Sequence, residues 1–326
     1  MSSSLSTAFR WHRPLMLLAI LMVAVGITSV IGLIVDPREL VGAPIWAKPL
    51  KFAISIFIYA VTWAWLIHQL RRFRRIAWWS GTVIAVALGI ETILVVGQTI
   101  RGHRSHFNVS NELDETIFNV MGGLITILWL ATLTVAVLLW FSPPRDRARG
   151  LAVRLGSAIS VAGIGLGALM VVPTQTQLEA FNGIAGAHTV GASDGGPGLF
   201  LLGWSTEHGD LRIPHFVGMH ALQLIPLALL LIELASRRIV ALRDERTRVG
   251  IVASISLGYA GLIALVTWQA LRGQSIVAPD LATALGFAAV LAVVASGCAL
   301  SLARGRSRAA ALKTTPAERR DRARAV

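Results

Sequence analysis

The chain has 326 residues, 55% of them hydrophobic and only 14% charged, with a mean hydropathy of +0.67. Ordinary soluble domains carry about a quarter charged residues, and no soluble core could cover this much apolar surface, so a soluble enzyme is excluded. A net charge of +13 would suggest nucleic acid in a soluble protein, but among apolar segments it suggests the basic loops of a membrane protein.

A spanning helix needs about 20 apolar residues. Eight segments qualify, at 14–35, 52–70, 76–99, 116–141, 155–173, 215–235, 249–268 and 281–303. The first is too long for a signal-peptide core and lacks a small-residue cleavage site after it, so it is expected to remain a helix. With the N-terminus inside, the cytoplasmic segments hold 23 of the 30 Lys and Arg residues and the outer segments hold 7. That bias predicts both ends in the cytoplasm and removes the nucleic-acid reading. The partner it leaves is the lipid bilayer, here a bacterial cytoplasmic membrane. The basic tail, 304–326, reads as a solvated cytoplasmic anchor. Trp46, Trp78, Trp79, Trp140 and Trp268 fall at or near span ends, as an aromatic belt requires. The lone Cys298 lies in an apolar stretch, so no internal disulfide forms.

The two halves echo each other. Lys48-x-x-Lys51-Phe52 precedes the second span, and Arg212-x-x-His215-Phe216 precedes the sixth. Gln98-x-x-Arg101-Gly102 closes the third span, and Gln269-x-x-Arg272-Gly273 closes the seventh. Asp114 and Asp280 then stand before the fourth and eighth. The fold expected is all-α, with two four-helix units in tandem, 1–150 and 151–303, related by an axis along the membrane normal.

Six of the eight histidines and ten of the 17 acids fall on the outer side. Positive-inside selection does not call for outer histidines, so function is expected there. On the third span, Glu91 and Gln98 are two turns apart and share a face. Glu91 lies roughly 22 Å from the inner end at 1.5 Å per residue, in the outer half of the hydrocarbon. A carboxylate there is costly and functional by default, which makes Glu91 the candidate catalytic or proton-binding group. The bland alternative is a structural ion pair with Arg101 or Lys51.

The run Arg101-Gly-His103-Arg-Ser-His106-Phe-Asn108 follows. His103 and His106 are spaced for two ligands of one metal if the segment is turned. The neighbouring arginines favour an anion instead, and a plain polar loop would also explain the run. At the sixth span, His220 and Gln223 share a face, with His215 and Met219 on a neighbouring one. These imidazoles suit a haem, a transition metal, a proton relay or a helix–helix hydrogen bond. Glu233, lower on that span, is matched to Arg237 one turn on. The long outer loop, 174–214, carries Asp194-Gly-Gly-Pro-Gly198 and then the apolar Leu199 to Trp204, a candidate lid. It lacks the features of a phosphate loop.

An eight-helix chain of two four-helix halves resembles the haem A synthase architecture. The Gln-x-x-x-Gly endings (Gln98 to Gly102, Gln269 to Gly273) and the histidine high on the sixth span, His220, are similar to that family. The resemblance implies haem held between the helices of each half, with His215, His220, Gln98, Gln223 and Arg101 as cofactor-binding candidates. This chain departs from the family on the fourth and eighth spans, which carry no histidine. The third-span and sixth-span motifs also resemble bacterial polytopic membrane proteins. Three functions compete, and the sequence favours the first. One is a membrane redox protein holding haem or a transition metal, with His103, His106 and His220 as metal candidates. Another is a proton-coupled carrier of a small solute. The last is a sensor or assembly factor whose glycine loop meets an extracytoplasmic protein.

Overall fold

The computed structural model describes residues 9–144 and 146–313. It is 72% helical. Among the described residues seven helices are long and apolar enough to cross a membrane, eight if a bent pair is counted as one span. Among the described residues the strands are two-residue pairs in the loops between helices.

Helix α1, Arg13–Val35, is capped by His12, whose Nδ1 accepts from the Leu15 amide while its Nε2 meets the Trp78 carbonyl at 2.8 Å. Strands β1 (Glu39–Leu40) and β2 (Ala43–Pro44) form a hairpin turned by Gly42 at φ +69°. Helix α2, Ala47–Gln69, starts five residues before its apolar run, because Pro49 is tolerated in a first turn. Lys48 and Lys51 are therefore helical, in the first turns of α2. Helix α3, Arg74–Arg101, ends at Gly102, whose φ of +76° suits a glycine C-cap. Helix α4, Glu112–Trp140, is capped by Asn111. Helix α5, Arg147–Gly165, begins at the Asp146 cap and tightens into a 3-10 turn over Leu166–Met170.

The long loop holds a short helix α6 (Gln175–Glu179) and the pair β3 (Thr189–Val190) with β4 (Gly209–Asp210). The expected sixth span is two helices, α7 (Arg212–Met219) and α8 (Ala221–Ala235), bent by 49° at His220. That break corrects the continuous helix expected from hydropathy. Helix α9, Glu245–Leu271, is capped by Asp244, and α10 runs Leu281–Lys313. The first part of the basic tail thus extends α10, and residues 314–326 lie outside the described residues.

In the first half, α1 packs on α2 and α3, α2 on α3, and α3 on α4; in the second, α5 packs on α7, α8 and α9, α9 on α7 and α8, and α9 on α10. The halves meet along α4 and α5. Core side chains such as Leu15, Ala60, Trp63, Ala77, Ile84 and Val135 are fully enclosed. Many large apolar side chains face outward instead, among them Leu17, Ile27 and Ile34 on α1 and Leu285, Leu291 and Leu300 on α10. Patches of that extent suit lipid contact.

One pole gathers the start of α1, residues 141–144 and 146, residues 236–244 and the end of α10. It is tied by Arg248 to Asp146 at 3.1 Å and by Arg308 to Asp244 at 2.7 Å. Glu233 is held there by a bidentate pair with Arg149 of α5, both contacts 2.8 Å, and not by Arg237 as expected. The other pole gathers the loops 36–46, 102–111, 171–211 and 272–280. Arg38 reaches the Ile100 carbonyl, and Val109 donates to the Gly183 carbonyl.

Candidate functional site

The polar residues of this second pole form three groups. The first is centred on Asp114, which is buried at the start of α4. Its carboxylate accepts from Gln98 Nε2 (2.9 Å), Arg101 (2.7 Å), Asn108 (2.9 Å) and Asn111 (2.8 Å), and meets His103 Nδ1 at 2.8 Å. Gln98 Oε1 accepts from Arg101 as well. Gln98, Arg101 and His103 are thus engaged in shaping the 102–111 loop. In the other half, Gln269 Nε2 donates to the Ser275 carbonyl six residues on, as Gln98 does to Arg104, and Arg272 pairs with Asp280.

The second group surrounds Glu91. Its side chain is 1% exposed, and neither carboxylate oxygen has a hydrogen-bond partner. Among the described residues the basic group within 4 Å of it is His106, whose Nε2 lies at 3.8 Å, too far for a hydrogen bond. Neither Arg101 nor Lys51 pairs with it. His106 Nδ1 lies 3.0 Å from Lys48 Nζ and 3.1 Å from Ser105 Oγ. An ammonium can only donate, so Nδ1 accepts and Nε2 carries the hydrogen that faces Glu91. Burial, and then the positive charge of Lys48, hold the His106 pKa well below the ordinary histidine value, so the imidazole is neutral at pH 7. Its ring is edge-on to Phe52 and Phe107.

The third group belongs to the long loop and α7. The turn at 199–203 closes with Leu199 N to Trp204 O and Gly203 N to Leu199 O. Its base is held by two cations. Lys51 Nζ donates to the Leu202 carbonyl at 2.9 Å, and Arg212 donates to the Gly203 carbonyl at 2.5 Å while pairing with Asp210. The tip projects Phe200, 96% exposed. His188 Nδ1 meets Asp194 at 2.6 Å. Burial alone would raise the Asp194 pKa, but hydrogen bonds from His188 and the Thr189 amide outweigh it and hold the carboxyl well below the usual range. Lys48 lies within electrostatic range of Glu91, Lys51, Arg212 and Asp194.

The break between α7 and α8 is built into the packing. A Cβ on either Gly163 or Gly218 would run into the backbone of the other. The carbonyls freed by the break are taken by side chains: Tyr259 donates to Val217 O at 2.6 Å, and Ser160 to Met219 O at 2.7 Å. His215 Nδ1 meets the Gly163 carbonyl at 2.9 Å. His220, at the break, has its Nε2 3.3 Å from Ser55 Oγ and its ring against Phe216. One turn on, Gln223 Nε2 reaches Thr62 Oγ1 at 3.4 Å, and its Oε1 is buried without a partner.

Glu91 and His106 therefore come together. Gln98, Arg101 and His103 attach to Asp114 above them, and His220 and Gln223 face α2 at the break. His103, His106 and His220 do not converge. Among the described residues, no group of three or more His, Cys, Asp or Glu is placed to hold a metal ion. Nor do the residues fit a haem of the implied kind, which needs an imidazole nitrogen facing the iron. His215 is engaged by Gly163 and packed on Gly167, His220 faces Ser55, and α4 and α10 supply no histidine opposite. The residues left out of the sequence reading are Lys48 and Arg212 as site groups and Asp194 as the anchor of His188. The one signal for them was the matched Lys48-x-x-Lys51 and Arg212-x-x-His215 pair.

Compared with known protein families, curated proteins and solved structures, the chain matches none. The geometry itself must carry the functional reading.

Proposed function

We propose that this is an eight-span protein of the bacterial cytoplasmic membrane, with both ends in the cytoplasm and two tandem four-helix units, and that it is a proton-coupled carrier of a small solute. The charge bias supports the orientation. The recurring helix pairings and the like geometry of Gln98 and Gln269 support the tandem units.

The observation that carries the carrier reading is Glu91. A carboxylate with no hydrogen bond, in the outer half of a span, is expensive to keep ionised, and a group so placed is suited to bind and release a proton. His106 is its relay. Lys48 fixes the tautomer, so the imidazole presents N–H to Glu91 and exchanges protons through its other nitrogen with the outer side. The broken span at His220 favours a carrier over a metal centre, because discontinuous helices mark substrate sites in transporters. Dispersed ligands argue against the metal.

The test uses proteoliposomes loaded with a pH-reporting dye and challenged from outside with glucose, ethanolamine, alanine or phosphate. At least one solute is expected to acidify the lumen, and Glu91→Gln, which keeps the shape of the side chain, should abolish the response. No acidification by any of them, or equal rates in the variant, overturns the reading.

A further inference from the structure

Three cations, Lys48 and Lys51 from α2 and Arg212 from α7, gather beneath the 199–203 turn. Lys48 and Arg212 occupy matched positions in the first turns of α2 and α7, and the positive ends of these helix N-termini add to the same charge. Lys51 has a neutral backbone carbonyl as its one hydrogen-bond partner, and Arg212 spends one donor on the next carbonyl. Two neighbouring carbonyl oxygens held by a lysine and an arginine occupy the positions that two oxygens of an anion would take.

The charge balance gives the rest. The groups facing this place are Lys48 and Lys51 from α2, Arg212 from α7, Asp210 beside it, His188 and Asp194 from the loop, His106 from the 102–111 loop, His215 from α7, and Glu91 from α3. Asp114 of α4 is saturated by its own donors, Arg101 among them. With the imidazoles neutral, three cations face three carboxylates. Asp210 is paired with Arg212, and Asp194 is bound by His188 and backbone amides. Of these three carboxylates, Glu91 is the one without hydrogen bonds among the described residues. Protonating it leaves one uncompensated positive charge.

We propose that the site binds one small monovalent oxyanion, a carboxylate or a phosphate, together with one proton on Glu91, and that the Leu202–Gly203 turn is a lid whose carbonyls hold the anion's place when the site is closed. This rests on the carrier reading and names its substrate class. In the step, the anion displaces the two lid carbonyls from Lys51 and Arg212 and Glu91 takes up a proton, so the net charge of the site is unchanged. The anion is soluble and not a lipid headgroup, because Lys48 and Glu91 lie beneath the turn, away from the exposed Phe200 tip.

The test is titration calorimetry of the full chain in detergent with acetate or inorganic phosphate, in two buffers of different ionisation enthalpy. One anion should bind per chain with uptake of about one proton, and affinity should fall by up to about tenfold per pH unit on alkalinisation. Glu91→Gln should bind acetate, which does not itself titrate near neutrality, without proton uptake and without pH dependence; phosphate, which does, reports occupancy alone. Lys51→Gln, which removes a contact to one carbonyl only, should bind at least about tenfold more weakly. No binding of either anion, acetate binding without proton uptake, uptake with acetate that persists in Glu91→Gln, or occupancy only by phosphatidylglycerol in nanodiscs overturns the proposal. Glu91-dependent proton flux without anion binding would overturn this inference and leave the carrier reading standing. Anion binding linked to Glu91 but without flux would uphold the site and overturn the carrier.

Discussion

At the scale of single residues, Asp114 and Glu91 are opposite solutions to the same problem. Both are buried carboxylates toward the pole that holds the long loop, and Asp114 collects five side-chain partners while Glu91 has none within hydrogen-bond distance. Asp114 is therefore a structural hub. Asp114→Ala would strand an arginine, an imidazole and three amides, at a cost of about 3–5 kcal/mol by analogy with broken buried ion pairs. Denaturation in detergent should register that loss, whereas Glu91→Gln should leave the midpoint nearly unchanged. The sequence marked Glu91 because it interrupts an apolar span. It did not reveal that Gln98, Arg101 and His103 serve Asp114, since that depends on how the 102–111 loop folds back over α4.

At the scale of elements, the break at His220 and the long loop organise the site. Hydropathy runs unbroken through residues 215–235, so the break was not legible. It arises from contact between Gly163 and Gly218, which lie on different helices, and from hydroxyls on α5 and α9 that take the freed carbonyls. Gly163→Val should push α7 away from α5 and cost about 1–3 kcal/mol through overpacking. A thermal shift in detergent would show it, and an unchanged midpoint would mean the crossing is looser than described. The loop responds to pH through its histidines. His106 and His188 are both held below the ordinary histidine value, chiefly by burial, with Asp194 opposing the effect at His188. Below about pH 6.5 the unfolded chain then binds more protons than the folded one. Loop stability is therefore full above that value and falls as pH falls through the lower folded values. Asp194, also held low, adds a loss in the same direction in stronger acid. Hydrogen exchange over residues 171–211 should speed up on mild acidification beyond the change in intrinsic rate, and protection that rises would contradict the sign.

At the scale of the whole molecule, most of the architecture was legible because composition and hydropathy act over twenty residues at a time. The expected spans match the observed helices to within a few residues where caps are simple, as for α1 and α3. The largest offset at a helix start is in α5, where helical residues Arg147, Arg149 and Arg154 look like loop to a hydropathy window. The same effect hid Lys48 and Lys51 in α2 and kept them out of the candidate site. Sidedness rests on the 23-to-7 split of basic residues and has a direct check. Ser193→Cys and Ser307→Cys both replace exposed residues, at opposite poles. An impermeant thiol reagent added to intact cells should label the first and spare the second. The reverse pattern would turn the proposed carrier's site inward.

The central claim is that Glu91 gains and loses a proton within the folded protein. The most direct measurement is pH-difference infrared spectroscopy of the protein in bilayers. The account predicts a protonated-carboxyl band that appears on acidification in the wild type and is missing in Glu91→Gln, with the Asp114 hub contributing nothing over the same range. Identical difference spectra for the two proteins would mean that Glu91 does not titrate, and would contradict the account.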